Sequence, residues 1–279
     1  MRMHMHLHMH SIHTQASHGG KDWMQLGSYV AGPPKSNGNW TALLPEVKID
    51  AGSFYASKDF FDPVKGRRIN FGWATVPPAS TQTLPREVTW HPELQQLVYT
   101  PVEEQSQLRG AVIGSLANTT LVANVPHSLH LPPQGGNQSE VRVTIQRPTS
   151  AVRLSVNVMV DAARKATGTE FFIAYVPPAD GKPSEVQVGS AYGTVDVLKL
   201  LPSDETLDMA LFVDNTFTEV FWMGGRVAMT ITTPTSGGHD DVTVAATEPG
   251  VTVSATAWAV DSIWVTPDVV KQTPRLRPS

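Results

Sequence analysis

Three groups of residues have types and spacings that could do chemistry. His4, His6, His8 and His10 alternate strictly with Met and Leu. On an extended strand this puts four imidazoles on one face, which is a metal-binding arrangement. Methionine has a single codon, however, so a Met-His repeat is what a simple DNA repeat yields on translation. Residues 1–20 are therefore read as a non-native or mis-called leader, disordered and without a site. They also lack the continuous apolar run of a secretory signal. Glu103-Glu104 is the second group. Two carboxyl groups share acid and base roles only when they face each other, and adjacent residues on an extended chain point to opposite sides. The pair reads as a solvated acidic stretch. The third is Asp62 in Phe61-Asp62-Pro63, a lone carboxylate with no partner to divide the acid and nucleophile roles. It reads as a turn residue. No catalytic residue, metal ligand or cofactor site is assigned.

The elements that must hold these residues are strands. Residues 49–74, IDAGSFYASKDFFDPVKGRRINFGWA, predict two strands, 54–61 and 68–74, joined across the breakers Asp62-Pro63 and Lys65-Gly66. The second places Ile69, Phe71 and Trp73 on one face and Asn70 and Gly72 on the other. Upstream, 23–30 is strand-like and 31–39 is a turn-rich loop. Downstream, a Pro- and Thr-rich loop at 76–83 precedes short strands at 84–88 and 94–100. From 111 to about 266 the pattern is period two. Val152, Leu154, Val156, Val158 and Val160 alternate with Arg153, Ser155, Asn157 and Met159. Val227, Met229 and Ile231, then Val251, Val253, Ala255 and Ala257, repeat it. Breakers fall at 132–136, 177–181, 224–225 and 236–238. Many short strands at this spacing, with no long helical stretch, predict an all-β sandwich over 113–266. The Pro- and charge-rich tail, 267–279, is expected to be disordered.

Composition excludes several function classes. A chain of 279 residues is long enough for two ordinary domains, and 41% hydrophobic with 16% charged residues suits a globular protein with a real core. The net charge of −4 carries no basic stripe, which argues against a nucleic-acid partner. No stretch approaches the ~20 apolar residues of a membrane helix. Cysteine is absent, so disulfides, thiolate metal sites and cysteine nucleophiles are excluded. Three Asn-X-Ser/Thr sequons occur, at Asn39, Asn118 and Asn137.

The run Asp50-Ala51-Gly52-Ser53-Phe54-Tyr55-Ala56-Ser57, with the strand ending at Trp73, resembles the last propeller blade of the fructoside-cleaving enzymes of glycoside hydrolase family 32. These are the invertases, inulinases, levanases and plant fructan enzymes. Asp214, Glu219-Val220-Phe221, the Gly225-Arg226 turn and the Trp258/Trp264 pair resemble that family's C-terminal sandwich. The resemblance implies about one and a half blades of a five-bladed β-propeller over 21–104, a linker at 105–112 and a β-sandwich over 113–266. It implies a retaining glycosidase, which needs two carboxyl groups ~5–5.5 Å apart across the scissile bond. In the family these come from Trp-Met-Asn-Asp-Pro-Asn-Gly, Arg-Asp-Pro and Glu-Cys motifs, and none of the three occurs here.

The chain is accordingly expected to be the C-terminal part only of such an enzyme, inactive by itself, with 21–104 more labile than the sandwich. What the resemblance leaves is substrate-binding equipment. Asp50, read as an exposed carboxylate beside a Gly, is expected to hydrogen-bond the sugar next to the fructose. Tyr55 and Trp73 are expected near the fructose pocket, although aromatics in a blade are also core residues. Ser53 stands where plant members often carry a lysine. The implied partner is a fructoside, sucrose or fructan, with neither nucleic acid nor membrane. The parent would be secreted or vacuolar, and the sandwich could form a homo-oligomer. The alternative is a non-catalytic glycan-binding or assembly β-sandwich protein.

Overall fold

The computed structural model describes residues 13–34, 36–161, 163–164, 167–178, 184–191, 193–234, 240–261 and 267–272. Up to residue 261 the described residues form strands, turns and short 3₁₀ segments, with no α-helix among them. Strands β1 (His13–His18), β2 (Lys21–Val30), β3 (Asn39–Ala42) and β4 (Val47–Lys48) make the first antiparallel sheet, in the order β1-β2-β3 with β4 also on β2. Gly19 and Gly20, both at positive φ, close the two-residue hairpin that pairs His18 with Lys21. Only glycine adopts that geometry in both turn positions without steric cost. A second antiparallel sheet holds β5 (Phe54–Asp62), β6 (Arg67–Ala74), β7 (Thr81–Gln82), β8 (Arg86–His91) and β9 (Gln96–Pro101), in the order β5-β6-β8-β9 with β7 on β6.

A 3₁₀ turn, Glu103–Leu108, leads to twelve further strands. They are β10 (Arg109–Thr120), β11 (His127–Ser128), β12 (Gln138–Gln146), β13 (Val152–Val160), β14 (Thr169–Tyr175) and β15 (Ser184–Ser190), then β16 (Val195–Leu200), β17 (Thr206–Asp214), β18 (Phe217–Trp222), β19 (Val227–Thr232), β20 (Asp241–Ala246) and β21 (Thr252–Val260). Two six-stranded antiparallel sheets result, β10-β21-β12-β17-β18-β19 and β11-β20-β13-β14-β15-β16. Their alternating apolar positions meet in one cluster. Val141, Val143, Leu211 and Trp222 come from the first sheet, and Leu154, Val156, Phe171 and Val244 from the second. Each such side chain contributes ~1.5–3 kcal/mol by leaving water. A short helix α1 (Pro267–Gln272) follows.

Several expectations change here. About one and a half blades of a five-bladed ring were expected before residue 105, but the described residues complete two whole sheets by Pro101. The leader is not disordered throughout, because β1 lies within residues 1–20 and pairs along its length with β2. His4, His6, His8 and His10 lie outside the described residues, as does Trp264. Residues 105–112 are no free linker: the 3₁₀ turn covers their first part, and β10 starts at Arg109. The expected disordered tail begins instead with α1, whose opening Pro267 and first-turn Asp268 suit a helix start.

The first two sheets are bound to the β18–β19 hairpin. The backbone N–H groups of Ala51 and Ser53 donate to the carbonyls of Ala228 and Thr230, and that of Tyr99 donates to the Gly225 carbonyl. Gly52 is required at this seam, since a Cβ there would lie 2.0 Å from the Thr230 carbonyl oxygen.

Candidate functional site

The β5–β6 hairpin presents the two aromatic candidates. Tyr55 pairs with Trp73 across the strands, their ring centroids 6.1 Å apart and tilted by 54°. Between Tyr55 and Lys58 the register shifts by one residue, and Ala56 takes φ +48°. Such a bulge leaves backbone N–H groups without ladder partners. Here the Asp22 carboxylate of β2 accepts both of them, from Ala56 at 3.1 Å and Ser57 at 2.5 Å. The bulge is thus fixed by the neighbouring sheet, and it sets where Tyr55 stands. Beneath, Phe54 is fully buried against Gly72, where a Cβ would come within 2.5 Å of the ring.

Trp73 is 47% exposed, so packing does not account for it as core. It lines a shallow groove of about 310 Å³ with Ala56, Phe71, Gly72 and residues 79–82. Gln82 of β7 lies directly across from Trp73. The groove therefore offers an aromatic face, the Ser80 and Thr81 hydroxyls and an amide, with no ionisable group. An indole face beside neutral hydrogen-bonding groups suits the C–H face and hydroxyls of a sugar ring. Thr81 and Gln82 escaped the sequence reading. Their Thr-Gln-Thr setting is a weak strand signal inside a loop.

Asp50 is placed elsewhere, and its expected exposure is corrected. The residue is 1% exposed and its carboxylate is fully engaged. Oδ1 accepts from the backbone N–H groups of Gly52 (2.7 Å) and Thr230 (3.0 Å). Oδ2 accepts from Arg86 Nη2 and the Thr230 hydroxyl, both at 2.9 Å. Arg86 is itself fully buried, and its Nη2 also donates to Glu219 Oε2 at 2.7 Å. The guanidinium lies between the rings of Phe54 (4.7 Å) and Phe221 (4.9 Å). Glu219 Oε1 accepts from the Leu84 N–H.

The result is a closed charge cluster joining β8, the 50–53 turn and the β18–β19 hairpin. Burial lowers the proton affinity of Arg86, but the adjacent Asp50 and Glu219 charges outweigh it and the net shift is upward. Burial pushes the Glu219 carboxyl up, partly countered by Arg86. Two carboxylates, one of raised pKa, resemble a glycosidase pair, but both are locked on one guanidinium in a dry interior. At 1% and 2% exposure, neither is open to a sugar. The signal for Glu219 was present in the sequence, as a single charge inside the apolar run Phe217–Trp222.

The remaining candidates behave as turn and surface residues. Asp62 Oδ1 accepts from the Val64 N–H at 3.0 Å, and Oδ2 pairs with Arg67 Nε at 3.0 Å. The Arg67 bond holds its carboxyl below the usual range. Glu104 is not merely solvated: Arg67 grips it bidentately, Lys65 joins, and its carboxyl is held down to about 2. Among the described residues, no group of three or more His, Asp or Glu could hold a metal ion, and no helix is long and apolar enough to cross a membrane.

Residues 3–101 match the family model described as "Glycosyl hydrolases family 32 N-terminal domain". A beta-fructofuranosidase (insoluble isoenzyme) of Arabidopsis thaliana is 36% identical over 107 residues, 34% of this chain and 20% of that protein. The fold resembles that of fructan 1-exohydrolase IIa from Cichorium intybus, with TM-score 0.74 at 19% identity, over 88% of this chain and 56% of that one. A second structure of the Cichorium enzyme, in complex with 1-kestose, gives TM-score 0.73. The chain thus spans about half the length of the structures it matches and a fifth of the plant relative. These findings support family 32. The matched model is that of the family's N-terminal domain, so the expectation that only a C-terminal part is present is not supported.

Proposed function

We propose that this chain is a glycosyl hydrolase family 32 protein of the β-fructofuranosidase type, in which the groove lined by Trp73, with Tyr55 packed beside the indole, is one wall of a fructoside site. We further propose that the chain binds such a sugar without cleaving it. The observation that carries the reading is the exposed indole of Trp73, which lines a neutral polar groove beside a bulge fixed from the next sheet. It lies within the segment matched to the family model, and a solved neighbour is described in complex with 1-kestose. The two six-stranded sheets are then a β-sandwich that braces the wall through the Asp50–Arg86–Glu219 cluster.

Inactivity follows from the chemistry. Retaining cleavage needs two facing, accessible carboxyl groups. The family's three carboxylate motifs are missing from the sequence, and the groove lining has no carboxylate. Titration with sucrose, followed by tryptophan fluorescence, tests the binding. A saturable change is expected for the wild-type chain and none for Trp73→Ala, whose circular dichroism should be unaltered. A saturable response that survives the substitution overturns the reading.

A further inference from the structure

The three sequons are unequal in the fold. Asn118 lies in β10, the end strand of its six-stranded sheet. At this point the register with β21 shifts, and Asn118 takes φ +43°. Its side chain is exposed and oriented by one neighbour: the Ser254 hydroxyl donates to Asn118 Oδ1 at 3.2 Å and accepts from the Asn118 backbone N–H at 3.1 Å. The amide oxygen is tied back, and Nδ2, the atom a glycan would occupy, has no acceptor among the described residues. The Thr120 hydroxyl that completes the sequon is exposed too.

Asn137 is the opposite case. It ends the 3₁₀ turn Gly135–Asn137, its Oδ1 is buried, and its backbone is bonded on both sides, to Gln134 and Asn215. The Ser139 of its sequon is 1% exposed, with its hydroxyl on the Gly136 carbonyl. A glycan there would have to displace a turn so close to Asp240 that a Cβ at Gly136 would lie 2.0 Å from the Asp240 carbonyl oxygen.

We propose that Asn118 is an N-glycosylation site of this chain when it passes through a secretory route, and that Asn137 stays unmodified. The co-reactant is a lipid diphosphate-linked oligosaccharide. The Asn118 Nδ2–C1 bond forms, the C1–O bond to the diphosphate breaks with its electron pair leaving on the lipid diphosphate, and the amide gives up one proton to the transferase base.

The test secretes the full chain, carrying Asn39→Gln, from a eukaryotic host, followed by peptide-N-glycosidase treatment and peptide mass spectrometry. The expected result is one glycan per chain, with conversion to aspartate at 118 and none at 137. Thr120→Ala should abolish the peptide-N-glycosidase band shift, keep the Asn118–Ser254 bonds and leave the thermal melt unchanged. If Thr120→Ala is not secreted, the occupancy of Asn118 in the parent chain decides the matter directly. An unmodified Asn118 in secreted protein, or a glycan on Asn137 in protein that still melts cooperatively, overturns the proposal.

Discussion

Replacing Arg86 with methionine removes the cation bonded to both carboxylates of a buried cluster and keeps a side chain of similar length. Asp50 and Glu219 then face each other in the interior, both essentially unexposed. Lost with the guanidinium are donations to Asp50 (2.9 Å), Glu219 (2.7 Å) and Thr230 (3.2 Å), and the stacking between Phe54 and Phe221. Removing one partner of a buried ion pair costs about 3–5 kcal/mol, because the remaining charge is desolvated and uncompensated. At ~2–4 °C per kcal/mol for a chain of this size, the Tm should fall by roughly 6–20 °C.

The deficit should also depend on pH. Burial already pushes the Glu219 carboxyl up, and without Arg86 only the Leu84 N–H bond is left to counter it. A carboxyl whose folded pKa exceeds its unfolded value binds more protons when folded, so stability falls as pH rises from the unfolded value through the folded one. Calorimetry at pH 5 and pH 8 should therefore show the larger loss at pH 8. Adding Glu219→Gln to Arg86→Met should recover part of it at pH 8 only. A Tm within ~2 °C of wild type at both values, or a loss independent of pH, would refute the assignment of these residues as an inter-sheet latch.

Three further outcomes are expected. Gly52→Ala drives a Cβ into the Thr230 backbone, 2.0 Å away, and should cost ~1–3 kcal/mol in urea unfolding. Phe54→Ala, at a fully buried ring, should cost ~3–5 kcal/mol, while Trp73→Ala, at a half-exposed one, should leave the melt nearly unchanged. Glu140 is buried, which raises its pKa, but Arg109 at 2.6 and 2.8 Å and Arg142 at 2.6 Å hold the carboxyl below its usual value. Its folded pKa is depressed, so its stabilisation is present above the ordinary carboxylate value near 4.5 and is lost as pH falls through the folded value. Glu140→Gln should flatten the acid limb of the stability profile.

What the sequence revealed was local. The alternation in β13 gives Val152, Leu154, Val156 and Val158 as buried positions, and they are, but it fails at the strand's end, where Met159 at φ +59° is buried and Val160 is not. Asp62-Pro63 and Lys65-Gly66 mark the β5–β6 turn, with Gly66 at φ +64°. The failures were long-range or compositional. Nothing near Asp50 announces a partner 36 residues on and another 180 residues on, and those contacts turn an apparent sugar ligand into a buried anchor. The His-Met repeat drew attention from Gly19-Gly20, a two-residue hairpin signal that pairs β1 with β2. The Pro-rich tail likewise hid a helix start at Pro267-Asp268.

The most direct measurement is fructose release by the purified 279-residue chain, at high protein concentration and over long incubation, from sucrose and from 1-kestose. A groove that binds without a facing carboxyl pair predicts release no greater than the protein-free blank, together with sucrose-dependent fluorescence that requires Trp73. Fructose above the blank, lost on denaturation of the chain, would contradict it.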